Sequence, residues 1–190
     1  MNFFKRIFTK NKSSESETKV NEIFTNEYFD NRYKELDFDN PLFKDSTTMI
    51  AGYFQVNNIT MKNSEFTNHP VNLDQVLNEG FYEFCKSLGM EDKQIGMTLS
   101  ICFSNHFMEN LDFKLYRDNK PKSSLRFLAL KYNKDGVVMS LYPFEYTLKV
   151  LNNEATYENL YLRTQSQLDR LPKKDDVINQ WINDAKNIKN

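Results

Sequence analysis

At 190 residues, with 39% hydrophobic side chains and 25 basic residues against 26 acidic, the chain suits one packed domain with appendages. Its near-zero net charge gives no global pull toward nucleic acid or an anionic membrane. Cys85 and Cys102 are too few for a disulfide scaffold and belong to no paired motif, which fits a reducing cytoplasm, and no apolar run reaches the roughly 18 residues of a membrane span.

The 16 Phe and 10 Tyr supply large apolar area per residue, so aromatics are expected to carry the core. Frequent asparagine fits the coding bias of a low-GC bacterium or its phage and has no mechanistic weight.

At the N-terminus Phe3, Phe4, Ile7 and Phe8 share a helical face opposite Lys5, Arg6, Lys10 and Lys12. Lys5 and Arg6 interrupt the apolar segment and no small-residue cleavage site follows, so it does not read as a signal peptide. A helix this short needs support, from its own domain, a partner or an anionic membrane surface. Residues 11–18 read as a polar linker, so the chain divides into a basic amphipathic segment plus linker, 1–18, and one α+β domain, 19–190.

Val20, Ile23, Phe24 and Tyr28 predict an amphipathic helix running to about Glu35, followed by a turn-rich break at Asp37, Asp39, Asn40 and Pro41. The stretch is acidic, which reads first as a solvated face and second as a surface for a basic partner. Met49, Ile50, Tyr53 and Phe54 predict a helix between Asp45 and Thr60, although Gly52 and the β-branched residues keep a strand open. Leu73, Val76, Leu77, Phe81, Phe84, Cys85 and Leu88 predict a central helix over 73–88, with Asn72 and Gln75 in a capping-box arrangement and Gly89 as its left-handed exit.

Alternation then dominates. Met97, Leu99, Ile101 and Phe103 against Thr98, Ser100, Cys102, Ser104 and His106 predict a strand. Leu111, Phe113 and Leu115 predict a second, and Leu125 to Tyr132, apolar on both faces, a central strand covered on both sides. Gly136 sits in a hairpin connection to a strand over 137–142. Phe144, Tyr146, Leu148 and Val150 predict a fifth strand entered through Pro143. Tyr157, Leu160, Tyr161, Thr164, Leu168 and Leu171 predict a helix ended by Pro172, and Val177, Ile178, Trp181, Ile182, Ala185 and Ile188 a closing helix. The expected fold is α+β: a single antiparallel sheet of four to five strands over about 96–151, packed by the 73–88 helix and two C-terminal helices, with N-terminal helices before it.

No motif rises to a functional signature. Cys102 and His106 are four residues apart, about 13 Å along an ideal strand, so they cannot touch there, and His69 can approach a thiol only through tertiary folding. Cys102, His106 and His69 are therefore weak catalytic candidates, and Cys85, on the apolar stripe, reads as a small hydrophobe. Two histidines separated by 36 intervening residues match no recurrent zinc spacing, so no metal is expected. The absence of a glycine-rich phosphate loop or a dinucleotide fingerprint leads to the expectation of no cofactor.

The 114–134 segment carries seven basic residues against Asp118 alone, which makes Lys114, Tyr116, Arg117, Lys120, Lys122 and Arg126 weak nucleic-acid candidates. The favoured expectation is a non-catalytic cytoplasmic protein-binding protein, such as an inhibitor, immunity-type neutraliser, adaptor or assembly component, touching its partner through Phe3, Phe4, Ile7 and Phe8. The rivals are a small hydrolase or transferase with a Cys/His site, a nucleic-acid-binding module, and peripheral membrane contact through residues 1–12. Oligomeric state is not legible in one chain.

Overall fold

Residues 31–36, 41–134 and 137–171 are described by the computed structural model, and the expected N-terminal segment, the linker, most of the 19–35 helix, the 135–136 turn and the closing helix lie outside them. Asn31 and Arg32 are helical, and the first complete element among the described residues is a strand, β1 (Tyr33–Glu35), so the helix expected to reach Glu35 ends before Tyr33. A long-range pairing overrides the local helical period. β1 lies antiparallel to β2 (Lys114–Asp118), with Tyr33 opposite Asp118 and Glu35 opposite Tyr116. Arg32 fixes this register by gripping the Asp118 carboxylate through Nε at 3.0 Å and Nη2 at 2.8 Å.

Helix α1 (Pro41–Val56) is the helix expected between 45 and 60, begun a turn earlier, and it buries Phe43, Ile50, Tyr53 and Phe54. The single helix expected over 73–88 is two, α2 (Pro70–Asn78) and α3 (Phe81–Ser87). They break at Gly80, whose φ of +92° suits a residue without Cβ, and the Tyr53 hydroxyl donates to the freed Glu79 carbonyl at 2.5 Å. One apolar stripe runs through the break because Leu73, Val76, Phe81 and Cys85 all enter the same core. The capping reading also changes: His69 is the N-cap and Pro70 the first helical residue. Asn72 and Gln75 instead turn inward and hold the preceding connection.

The largest correction concerns Met97 to His106, which forms the middle of α4 (Asp92–Asn110) and not a strand. Gln94 accepts the Glu91 backbone N–H at 2.7 Å, one half of a capping box that starts the helix. Every residue from Leu99 to Phe107 is buried, so the side between the large apolar residues is not a solvent face. Apart from His106 it is made of small residues that let neighbours approach. Ser104 Oγ satisfies itself on the Ser100 carbonyl at 2.7 Å, so it can be buried within the helix.

The strands expected near 111–116, 125–132 and 137–142 are present as β2, β3 (Leu128–Lys134) and β4 (Val137–Leu141). With β1 they form a four-stranded antiparallel meander in the order β1-β2-β3-β4. The fifth strand expected over 144–150 is α5 (Pro143–Leu151), where Pro143 is the first helical residue and Phe144, Thr147 and Val150 are buried at helical spacing. Helix α6 (Tyr157–Asp169) agrees with expectation. Its first two amides, Tyr157 N and Glu158 N, are accepted by the two oxygens of Asp74 on α2, each at 2.9 Å.

The chain is thus α+β, with six helices and one antiparallel sheet among the described residues. Leu115, Leu128 and Leu130 turn one sheet face into the core, where α4 meets β2 and α5 meets β3. Ala129 is buried on the second face, opposite Tyr116, whose ring meets Tyr33 edge-on at 6.4 Å. On that second face of β3 Ala129 is buried and Lys131 half-buried.

Inside the helical layer Thr147 Oγ1 lies 3.0 Å from Ser100 Oγ and accepts from the Tyr157 hydroxyl at 2.8 Å, joining α4, α5 and α6. Replacing Thr147 with Val orphans the buried Tyr157 donor and is expected to cost about 1–3 kcal/mol in urea unfolding. Adding Tyr157→Phe to Thr147→Val, which removes the orphan, is expected to recover part of that loss in a double-mutant cycle.

Candidate functional site

The chain's two histidines meet. His69, the cap of α2, and His106, near the end of α4, pack edge to face with ring centroids 4.8 Å apart. Tyr161 of α6 packs edge-on against both, at 5.1 Å from His69 and 5.2 Å from His106. Phe66, from the connection before α2, covers His106 at 5.8 Å. His106 is 1% exposed, whereas His69 is half-buried and Phe66 is exposed.

Hydrogen bonds fix the state of both rings. Asn110 Nδ2 donates to the His106 carbonyl at 3.0 Å, which identifies it as the amide nitrogen, and the same group stands 3.2 Å from His106 Nδ1. An amide nitrogen can only donate, so Nδ1 accepts and the proton of the neutral ring is on Nε2. His69 Nδ1 accepts the Val71 N–H at 3.2 Å, giving the same tautomer. His106 Nε2 is buried with no hydrogen-bond partner among the described residues.

Burial pushes the His106 imidazole down to about 4 from its ordinary 6.5, with the neighbouring His69 adding to the shift. Burial also lowers His69, against the opposing pull of Glu158.

The connection carrying Phe66 is held to α2 by two buried amides. Asn72 accepts from Asn63 N at 2.9 Å and donates to the Asn63 and Phe66 carbonyls at 2.8 and 2.9 Å. Gln75 accepts from Lys62 N and donates to the Thr60 carbonyl, both at 2.9 Å. Asn68 Nδ2 reaches across to Glu109 on α4 at 2.9 Å.

Helical winding brings Cys102 and His106 to about 6 Å of axial separation on neighbouring turns, not the 13 Å or so of a strand. Their side chains nevertheless serve different neighbours. The Cys102 thiol is fully buried, and burial pushes it up to about 12 against a smaller opposing effect of the Thr47 hydroxyl. The Cys85 thiol is likewise fully buried and pushed up to about 11 by desolvation. A nucleophilic cysteine needs its thiolate, and neither site favours one.

The nucleic-acid candidates do not form one stripe. Lys114 pairs with Glu35 at 3.0 Å, and Arg126 reaches Glu145 with Nη2 at 3.2 Å and lies over the Tyr142 ring at 4.8 Å. Tyr116 packs on Tyr33, while Arg117, from the opposite face of β2, and Lys120 and Lys122, from the following loop, are exposed. Phe3, Phe4, Ile7 and Phe8 lie outside the described residues.

Among the described residues no three His, Cys, Asp or Glu side chains gather as a metal site, and no helix is long and apolar enough to cross a membrane. Sequence reasoning missed Tyr161, Phe66 and Asn110 as partners of the histidines. The four-residue step from His106 to Asn110 signals the last of these, but only on a helix. Compared with protein-family models, with curated proteins and with solved structures, the chain has no match.

The thiol environments give a direct check. With a disulfide reagent at about pH 8, both cysteines of the native protein are expected to stay unlabelled over the time in which a denatured sample reacts fully. Rapid labelling of Cys102 in the native state contradicts its burial.

Proposed function

We propose that this chain is a non-catalytic cytoplasmic protein-binding protein, an inhibitor, neutraliser, adaptor or assembly component, and that Phe3, Phe4, Ile7 and Phe8 contact its protein partner. The observation that carries the reading is the fate of the reactive side chains. Cys85 and Cys102 are fully buried and His106 is 1% exposed, each in apolar packing that disfavours its charged form. A hydrolase or transferase built on Cys102, His106 or His69 needs a thiolate and a base facing one substrate position.

Apolar side chains, by contrast, reach the surface, as in Val56 at 73% and Leu88 at 60% exposure. Nucleic-acid binding is weakened as an alternative because Lys114, Arg126 and Lys134 each spend their charge on a carboxylate, Glu35, Glu145 and Asp112 in turn.

The test uses purified full-length protein, a version lacking residues 1–18, and the Phe4→Asp/Phe8→Asp double variant, each incubated with cytosol of the native cell. A stoichiometric protein partner is expected with the full chain and is expected to be lost with both altered forms. Recovery of the same partner by the truncated form overturns the role of the segment. Flotation of the full chain with anionic vesicles in place of a protein partner, or substrate turnover abolished by His106→Ala, overturns the class.

A further inference from the structure

We propose that His69 and His106 form an acid-opened latch that holds the 57–69 connection and the start of α2 against α4 and α6. The inference is independent of what the protein binds, since it rests on how the two rings are held. In both, Nδ1 accepts an N–H, from Val71 in His69 and from Asn110 in His106. A neutral imidazole protonated on Nε2 can gain a proton only at Nδ1, so charging either ring breaks the bond that positions it. For His69 the lost bond is the cap of α2. For His106 it is the Asn110 contact, and the new charge sits in a box of aromatic rings.

The surrounding charges offer little relief. On His106 the ionisable group that acts is His69, a like charge once protonated. From α6, Glu158 favours a charged His69, and Tyr161 presents only its ring to the pair. From α4, Glu109 is engaged by the amides of Asn68 and Asn105, and from α2, Asp74 is engaged by the first amides of α6. The two rings at 4.8 Å cannot both be charged without separating.

The contacts that would give way are local. Phe66 and His69 meet His106, and Asn68 meets Glu109, while the Asn72 and Gln75 amides tie the connection to α2 and not to α4. Opening is therefore confined to the contacts of Phe66, Asn68 and His69, leaving Leu73 and Val76 in the core, the Asp74 bonds to α6, and the α4 contacts with α1 and α5 in place.

Because the folded His106 resists protonation relative to an open one, openness grows as pH falls below the ordinary value of 6.5 and levels off near 4. The sign is that of a depressed base: closure is complete above the ordinary value and is lost on acidification. For His106 alone, the open population is expected to rise roughly 30-fold between about pH 7.5 and about pH 5.

Nitrogen-15 NMR of the full chain reads this directly, because only two histidines contribute imidazole signals. At about pH 7.5 both rings are expected in the Nε2–H form, with contacts from His106 to Phe66 and Tyr161. On acidification the Phe66 and His69 contacts of His106 are expected to vanish while the Phe103–Tyr157 contact persists, with saturation transfer at the Phe66 and His69 amides reporting the open population. The His69→Asn/His106→Phe double variant, which keeps a capping side chain on α2 and removes both titrating rings, is expected to keep Phe66 docked at about pH 5. Loss of docking in the double variant at the same pH as wild type, or wild-type His106 titrating near 6.5 with its contacts intact, overturns the latch. If the double variant does not fold, the wild-type titration alone decides.

Discussion

One helix whose middle, Leu99 to Phe107, is buried on every side sets the terms for the rest of the structure. Helix α4 meets α1 where Cys102 lies by Thr47, α5 where Ser100 meets Thr147, α2 and α6 where His106 meets His69 and Tyr161, and the approach to β2 where Phe107 packs on Phe113 at 5.4 Å. A helix in that position needs large residues to fill the core and small ones to admit its neighbours. Gly96 shows the second need: a Cβ there would stand 3.3 Å from the Phe144 ring of α5. The hydroxyls of Ser100 and Ser104 turn back onto helix carbonyls, so the small residues bring few unsatisfied groups inside.

The same constraint explains what was legible in the sequence. A helix with one solvent face advertises itself by three- and four-residue steps, as α6 does. When all faces are buried that period disappears, and in α4 the large and small residues happen to alternate, imitating a strand. Helix α5 deceives for a related reason. Phe144, Tyr146, Leu148 and Val150 alternate, yet burial follows Phe144, Thr147 and Val150, with a buried threonine taking the place where an apolar residue would have shown the helix. The hairpin strands β3 and β4 are readable because Gly136 between them and the apolar runs on either side agree with their pairing. β1 was not readable, since three residues paired with a strand some eighty positions later leave no local trace.

At the site, the residue types were visible and their relation was not. Cys102 and His106 were visible as candidates four residues apart, and the error over strand or helix changes their separation twofold. Even the corrected spacing does not make a pair, because neighbours on a buried helix are assigned to different packing partners. His69 needed tertiary folding to reach either group, and folding brings it to the imidazole and not to the thiol. Asn72 and Gln75 illustrate the same limit. Their spacing is that of a helix start, but the cap is His69, and the two amides close the connection before it.

A histidine beside an aromatic cluster can serve chemistry or packing, and the ring atom that accepts a neighbouring N–H separates the two uses. A general base needs its free nitrogen lone pair turned toward substrate. In His69 and His106 the lone pair is the Nδ1 already occupied by Val71 and Asn110, and what each ring has left is a donor. His106 keeps that donor without a partner inside apolar packing, a cost which the fold carries at neutral pH through the surrounding ring contacts. A phenylalanine would fill the same box without that cost. The unsatisfied Nε2 is therefore the feature that packing alone does not account for, and the basic Nδ1 beside Asn110 is what a phenylalanine in that box would lack.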